Sequence, residues 1–379
     1  MERGLFQEEH IIFRDTFVKY LEKEVVPNYE QWETDHYIPK EAWLKMGENG
    51  FLCPWVSEAY GGSEAGFEYS VIIAEEINRR DLVGFMSSLH SNIIVPYIDT
   101  FGTEEQKKKW LPGCITGEII TAIAMTEPGA GSDLAALRTT AAKDGDHYII
   151  NGQKTFISNG LCSNLVIVAA KTDTSAGYKG ISLICVEEGT PGFSRGRRLE
   201  KMGLHAADTA ELVFEDCRVP VANLLGQEGK GFYYMMQKLQ RERLMSVIGS
   251  VAMAEGMLDL TVKYTKERYI FGKPVSSFQH NTFKIVEMAT EVELARTYTD
   301  ELIKRHMAGI DITKGVCMAK SWIAEMTNRL GHQCLQLHGG YGYMEEYPIC
   351  RFVRDARPLT IYAGSTEVMK NVVGKMMGL

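Results

Sequence analysis

The chain has 379 residues, 45% of them hydrophobic and 24% charged, with 41 Lys and Arg against 49 Asp and Glu for a formal net charge of −8. This composition excludes global disorder, and the acidic balance excludes a general binder of nucleic acid or acidic membrane, since both require basic surface. No uninterrupted apolar run approaches the ~18 residues of a membrane span, so no integral membrane association is expected. Met1 to His10 carries Glu2, Glu8 and Glu9 and no apolar core, so it reads as neither a secretory signal nor a transit peptide. None of the eight cysteines forms a C-x-x-C pair, which argues against a zinc knuckle or a dithiol redox motif. They are expected as small buried hydrophobes in a reducing cytoplasm.

In chain order, the first 120 or so residues read as helical. Phe13, Phe17, Tyr20, Leu21 and Val25 recur at helical spacing until Pro27, which is expected to stop that helix. Val71, Ile72, Ala74 and Ile77 mark a second helix. From Thr121 the signals turn β-like. His147–Ile150 runs into Asn151-Gly152, a strong tight-turn dipeptide, followed by Lys154–Ser158, then Leu165–Val168, Ile181–Val186 and Glu211–Phe214. From Gly231 the chain is helical again. Ile312, Val316, Ala319, Ile323, Met326, Leu330, Cys334 and Leu337 form one apolar stripe, with Asp311 as its cap and Gly339-Gly340 at its end. The expected architecture is α+β and multidomain: an N-terminal α-helical domain (1–120), a middle antiparallel β-barrel-like domain (121–222) and a C-terminal four-helix bundle (223–379).

Several motifs fail. Gly129-Ala130-Gly131 starts a dinucleotide fingerprint, but Leu134 stands where the third glycine belongs. Gly192-Phe193-Ser194-Arg195-Gly196 matches G-x-S-x-G, yet Arg197–Lys201 shows no helix for a nucleophile elbow. No histidine has a second ligand at metal spacing, so no metal site is expected.

The stretch Ala124–Asp133 (AMTEPGAGSD) has a proline and two glycines that let the backbone turn sharply and approach a flat ligand. By composition alone it is equally a connector between domains. This decapeptide, NGQKTFISNG at 151–160, ELVFEDCRVP at 211–220, Arg268–Gln279 and Gln336–Gly342 stand in the order and spacing found in acyl-CoA dehydrogenases, and the chain resembles that family from end to end. The resemblance implies bound FAD, an acyl-CoA substrate, electron-transfer flavoprotein as acceptor, and a homotetramer built as a dimer of dimers.

Residue by residue, the resemblance places Thr126 and Ser158 against the flavin ring as donors, flanked by Met125, Gly131 and Ile157. Phe156 stands where the family often has tryptophan, keeping the aromatic face without the indole N–H. Arg268 matches an arginine on the FAD pyrophosphate of a neighbouring subunit, a task suited to a permanently charged fork. Phe271, Gln279, Gln336, Gly339, Gly340, Ser365 and Glu367 match further positions around the nucleotide, and Ser132 a position near the CoA chain.

The family reaction removes a proton α to a thioester carbonyl and a hydride from Cβ, and needs a carboxylate base and donors on the thioester oxygen. Most relatives carry the base in a Tyr-Glu-Gly-Thr stretch, where this chain reads Tyr362-Ala363-Gly364-Ser365. The long-chain and isovaleryl subgroups supply it from the first long bundle helix, and here Arg241-Glu242-Arg243-Leu244 matches. Met235, Leu239, Glu242, Met245 and Gly249 share one helical stripe, which would desolvate Glu242. The competing reading is an ion pair with Arg241, Arg243 or Lys238. Glu242 is taken as the base, with the Ala363 N–H on the thioester carbonyl and Leu239, Arg243, Tyr362 and Gly364 near the substrate.

Phe85–Thr100 is expected to line the acyl pocket and has no arginine, which disfavours a glutaryl-type substrate. Branched, long-chain, bulky and cyclic acyl groups stay open, and His90-Ser91-Asn92, with Ser91 placed against substrate, is an oddly polar run for an aliphatic tunnel. The alternatives on the same fold are a flavin oxidase or monooxygenase, and a non-catalytic binder of CoA thioester or flavin.

Overall fold

A computed structural model describes residues 3–379. The N-terminal part holds α1 (Glu8–Tyr20), α2 (Val26–Asp35), α3 (Lys40–Glu48), α4 (Phe67–Arg79), α5 (Val95–Phe101) and α6 (Glu104–Thr116). Pro27 does not stop the first helix. A π-turn at Leu21–Val25 joins α1 to α2, and the Val26 N–H reaches back to the Leu21 carbonyl. The wider turn makes room for the proline ring, whose missing N–H falls in the first turn of α2, where no partner is required.

The middle part holds β1 (Thr121–Ala124), β2 (Thr140–Asp144), β3 (His147–Ser158), β4 (Leu165–Lys171), β5 (Ile181–Glu187), β6 (Phe193–Arg198), β7 (Thr209–Pro220) and β8 (Leu224–Leu225). They form one sheet in the order β6-β7-β3-β2-β4-β5-β8, with β1 beside β4. Pairing is antiparallel except that β1 and β2 each run parallel to β4. Asn151-Gly152 is not a hairpin turn. β3 runs straight through it with a bulge against β7. Asn151 exchanges hydrogen bonds with Asp216 on β7, and a Cβ on Gly152 would run into Thr139. The β4 sequence is apolar at nearly every position because both its faces are covered. One face meets α5 and α6 through Tyr97, Ile98, Trp110 and Leu111, and the other meets Tyr148, Ile150 and Phe214.

The last part is α7 (Gly231–Glu267), a two-residue hairpin β9 (Tyr269–Ile270) and β10 (Lys273–Pro274), α8 (Gln279–Met307), α9 (Thr313–His338), α10 (Pro348–Ala356) and α11 (Thr366–Met376). α7 contacts α8, α9 and also α4, so the bundle core and the N-terminal helices share it. Its most apolar 18-residue window has mean hydropathy 1.3, and 72% of that window is buried inside the protein, as a core helix should be. Gly249 permits the close approach to α4, since a Cβ there would sit 2.8 Å from Asn78 Oδ1. An ion network staples the same junction: Arg296 on α8 bonds Glu75 on α4 and Glu255 on α7, and Arg3 bonds Glu75 and Asp300.

Candidate functional site

α7 presents Glu242 between buried Arg243 and Leu244 on one side and half-buried Leu239 on the other. Its carboxylate makes no hydrogen bond or ion pair among the described residues. Burial pushes its pKa up to about 7, against the opposing pull of Arg243 and Lys320. The three cations of the competing reading are engaged elsewhere. Arg241 lies between the Trp55 and Phe67 rings, 5.0 and 5.2 Å from their centroids, and donates to Asn92 Oδ1 at 3.2 Å. Arg243 Nη1 faces Cys317 Sγ at 3.4 Å, and Lys238 Nζ donates to Thr100 Oγ1 at 2.5 Å. Glu242 is thus a carboxyl group poised to titrate near neutrality, with no partner of its own.

Facing it is the loop from Tyr362 to Gly364. Ala363 and Gly364 both have left-handed backbones, φ 54° and 91°. For alanine that conformation costs about 1 kcal/mol, so the surroundings must hold it. A side chain on Gly364 would meet Met369 and come within 4.0 Å of Arg243 Nη2. Tyr97 and Tyr362 border the same place: burial first, then the Glu242 charge, raises both phenols, that of Tyr362 to about 12. The buried Tyr97 hydroxyl has no hydrogen-bond partner among the described residues.

A second group forms at the edge of the sheet. The Thr155 N–H donates to the Thr126 carbonyl at 3.0 Å, so the 125–131 turn lies against β3. Glu127 and Ala130 exchange backbone hydrogen bonds that close the turn, leaving Gly131 and Ser132 exposed. A Cβ at Gly129 would meet nothing and one at Gly131 only Thr126 Cγ2 at 4.0 Å, so the turn is an open cradle. A bulge between Lys154 and Ile157 turns Phe156 outward, 68% exposed and at φ 59°, while Ile157 is buried. The Thr126 and Ser158 hydroxyls are part-exposed and have no partner among the described residues. A strained, exposed aromatic ring beside two free hydroxyls and an open glycine turn fits a flat heteroaromatic ring such as isoalloxazine.

The third group lies where α7 ends. Arg268, Gln336, Gly339 and Gly340 line one cleft of about 760 Å³ with His280, Lys284 and Tyr341. The Arg268 guanidinium sits 5.2 Å over the Tyr341 ring and has no carboxylate partner among the described residues. An unneutralised fork in an open cleft suits a phosphate. Gly339, at φ 62°, ends α9 and opens toward the cleft. Phe271 is 92% exposed at the tip of the β9–β10 hairpin, and Gln279 opens α8. Neither the Glu242 group nor the Thr126 group contributes to this lining. Ser365 and Glu367 also lie outside it. The Ser365 hydroxyl caps α11 by accepting from the Val368 N–H, and Glu367 follows in the first turn.

Ser91 and its neighbours are placed differently from the sequence reading. The Ser91 hydroxyl accepts from the Cys53 N–H at 3.1 Å, and its carbonyl accepts from Trp55 Nε1. His90 is fully buried, held by Thr121 Oγ1 at 2.8 Å and the Cys114 carbonyl at 2.9 Å, and burial lowers its pKa to about 4. Asn92 receives Arg241. The polar run is a brace between helices and sheet, committed to protein partners. The sequence reading also overlooked Lys320 and Lys154, both sealed from solvent. Lys320 carried a signal, falling four residues after Val316 and three before Ile323, on the apolar face of α9.

Family models for the acyl-CoA dehydrogenase N-terminal, middle and C-terminal domains match residues 7–118, 122–217 and 229–378. The chain is 44% identical over 375 residues to the mitochondrial long-chain specific acyl-CoA dehydrogenase of Sus scrofa, covering 98% of this chain and 87% of that one. It is 36% identical to the mitochondrial isovaleryl-CoA dehydrogenase of Solanum tuberosum, covering 98% and 91%. The crystal structure of an acyl-CoA dehydrogenase from Geobacillus kaustophilus superposes with a TM-score of 0.97 at 57% identity, covering 99% of each chain.

Proposed function

We propose that this chain, which belongs to the acyl-CoA dehydrogenase family, takes the α-proton of its acyl-CoA thioester with Glu242. Members of the family are FAD-dependent oxidoreductases acting on acyl-CoA, and so is this chain. When bound, FAD accepts the β-hydrogen with its electron pair. Thr126, Phe156 and Ser158 would meet its ring, and Arg268, Gln336, Gly339 and Gly340 the phosphates and nucleotide of an FAD held mainly by a neighbouring subunit.

The observation that carries the base assignment is a carboxyl group without an ion-pair partner among the described residues, its pKa pushed up to about 7 by burial, opposite a loop whose Ala363 cannot accept a proton. A base is most effective with its pKa near the working pH. The Cα–H bond breaks, its proton passes to a Glu242 oxygen, and the electron pair forms the Cα–Cβ double bond as the β-hydrogen leaves. The Ala363 N–H, on a left-handed backbone, stabilises the enolate-like charge on the thioester oxygen. The uncommitted carboxylate argues against a non-catalytic binder. With His90, Ser91 and Asn92 tied to the protein, an aliphatic acyl group, branched or long, is the substrate class.

Electron-transfer flavoprotein as acceptor, a homotetramer and a cytoplasmic location complete the reading. The exposed apolar side chains Phe271, Phe283 and Leu294, at 92%, 57% and 61%, support assembly, and eight free cysteines support a reducing compartment. The test is anaerobic titration with straight, branched and cyclic acyl-CoA thioesters, following the flavin band. Glu242→Gln should keep FAD and lose bleaching by about 10²–10⁴-fold. Near-normal bleaching by that variant would overturn the base, and no bleaching of the parent by any of these thioesters would overturn the activity.

A further inference from the structure

Lys320 is a lysine on the apolar face of α9, 1% exposed, with no ion-pair partner among the described residues. Its Nζ donates to the Gly364 carbonyl oxygen at 2.6 Å. Burying an ammonium group costs several kcal/mol unless the surroundings make use of its charge and protons. Here the proton goes to a loop whose backbone is left-handed at two successive residues, Ala363 and Gly364, a conformation that strains the alanine. Arg243 Nη2 comes near the same loop, 4.0 Å from where a Cβ on Gly364 would sit, and neither Ala363 nor Gly364 has a side chain able to anchor it.

The charge also has a neighbourhood. Glu242 and Arg243 on α7 and Glu367 on α11 act on Lys320, and burial brings its pKa down to about 8. Glu242 in turn faces Arg243 on its own helix, Lys320 on α9, Tyr97 on α5 and Tyr362 on the loop. Of these, Lys320 alone touches the loop and also acts on the carboxylate from a different helix.

We propose that Lys320 is a positioning residue for the reaction: from the core of α9 it ties down the loop that aims the Ala363 N–H at the thioester carbonyl, and its positive charge favours the ionised form of Glu242. The inference rests on Glu242 being the base. It makes the last helices part of the chemistry, because a lysine buried for the bundle fixes a donor for the substrate.

The test uses FAD-loaded parent enzyme, Lys320→Met, Lys320→Arg and Glu242→Gln, with whichever of butyryl-, isovaleryl- and palmitoyl-CoA bleaches the parent fastest. The anaerobic bleaching rate is followed against pH, and binding of the matching S-alkyl-CoA thioether, which has no carbonyl, is titrated. Lys320→Met should slow bleaching by about 10–100-fold and move the acid limb upward by about one pH unit, while thioether affinity stays within about twofold. Lys320→Arg should return the limb to its parental pH. Parental rate and limb in Lys320→Met overturn the proposal, as does a thioether affinity lost in step with the thioester. If Lys320→Met does not hold FAD, Lys320→Arg decides: a limb displaced despite the retained charge also overturns it. A Glu242→Gln variant that bleaches normally removes the base reading and the proposal together. An inactive Glu242→Gln beside an unaffected Lys320→Met removes this proposal alone.

Discussion

The Lys154 ammonium lies 2.8 Å from Glu127 Oε1, and its side chain is sealed from solvent while that of Glu127 is nearly so. Lys154 also donates to the Met125 carbonyl, and Glu127 accepts from the Arg138 and Thr139 N–H groups. Burial alone would raise the Glu127 pKa, but Lys154 and these donors hold it below the usual carboxylate range. The pair thereby clamps the turn bearing Thr126 onto the strand bearing Phe156 and Ser158. Lys154→Met should cost about 3–5 kcal/mol of stability, since it leaves a buried carboxylate unpaired. Chemical denaturation measures this, and FAD release should become easier in the same variant.

With Glu242 as the proposed base, the pH dependence of turnover follows from its ionisation. The base must be ionised, and its pKa is pushed up to about 7. kcat/KM should therefore rise with pH through about 7 and flatten above it. A profile flat between about pH 5 and 9 would contradict the assignment.

Arg268 has no carboxylate partner of its own in the cleft among the described residues. Arg268→Gln should weaken FAD binding by about 10–100-fold, the worth of one charge-assisted contact. Fluorescence titration of the apoprotein reads the loss, with little change in the rate of flavin bleaching once FAD is saturating.

Three carboxylates meet where the parts of the chain converge. Asp355 on α10 accepts from the Leu204 N–H, Asp81 accepts from Arg351, and Glu33 on α2 accepts from the Ala206 N–H. One oxygen of each is buried without a partner among the described residues. Burial first, then the Glu33 charge, pushes the Asp355 pKa up to about 7, against the Leu204 N–H, Arg351 and Arg354. Because this pKa is raised on folding, the protonated form stabilises the fold, and that stability is lost as pH rises through about 7. Asp355→Asn keeps the acceptor for Leu204 and escapes the loss. It should raise the melting temperature at about pH 8 and leave it nearly unchanged at about pH 4.

Ser91→Ala should cost about 1 kcal/mol through the hydrogen bond to Cys53 and leave the ranking of acyl-CoA substrates unchanged. A changed ranking would put Ser91 back against the acyl chain.

Much of this was legible in the residues, and the misreadings share a cause. The α9 stripe and its Gly339 stop were read as they stand, because helical periodicity is local. Pro27 and Asn151-Gly152 were misread because a π-turn and a bulge depend on partners: the Leu21 carbonyl in one case, Asp216 and Thr139 in the other. The His90–Asn92 run looked available for substrate because sequence does not show where a polar side chain finds its acceptor.

The sequence by itself determined the order of helical and β segments, which follows from periods of two and 3.6 that need no tertiary partner, and its resemblance to acyl-CoA dehydrogenases pointed to the family and to Glu242 as the proposed base. Tertiary structure decided which cations answer that carboxylate. Of its neighbours in sequence, Arg241 and Lys238 turn to Asn92 and Thr100, while Arg243, which faces Cys317, still acts on it. Lys320, 78 residues away by number, is a second cation acting on it, brought from another helix. The pKa near 7 belongs to that arrangement, because desolvation and charge act through space and not along the chain.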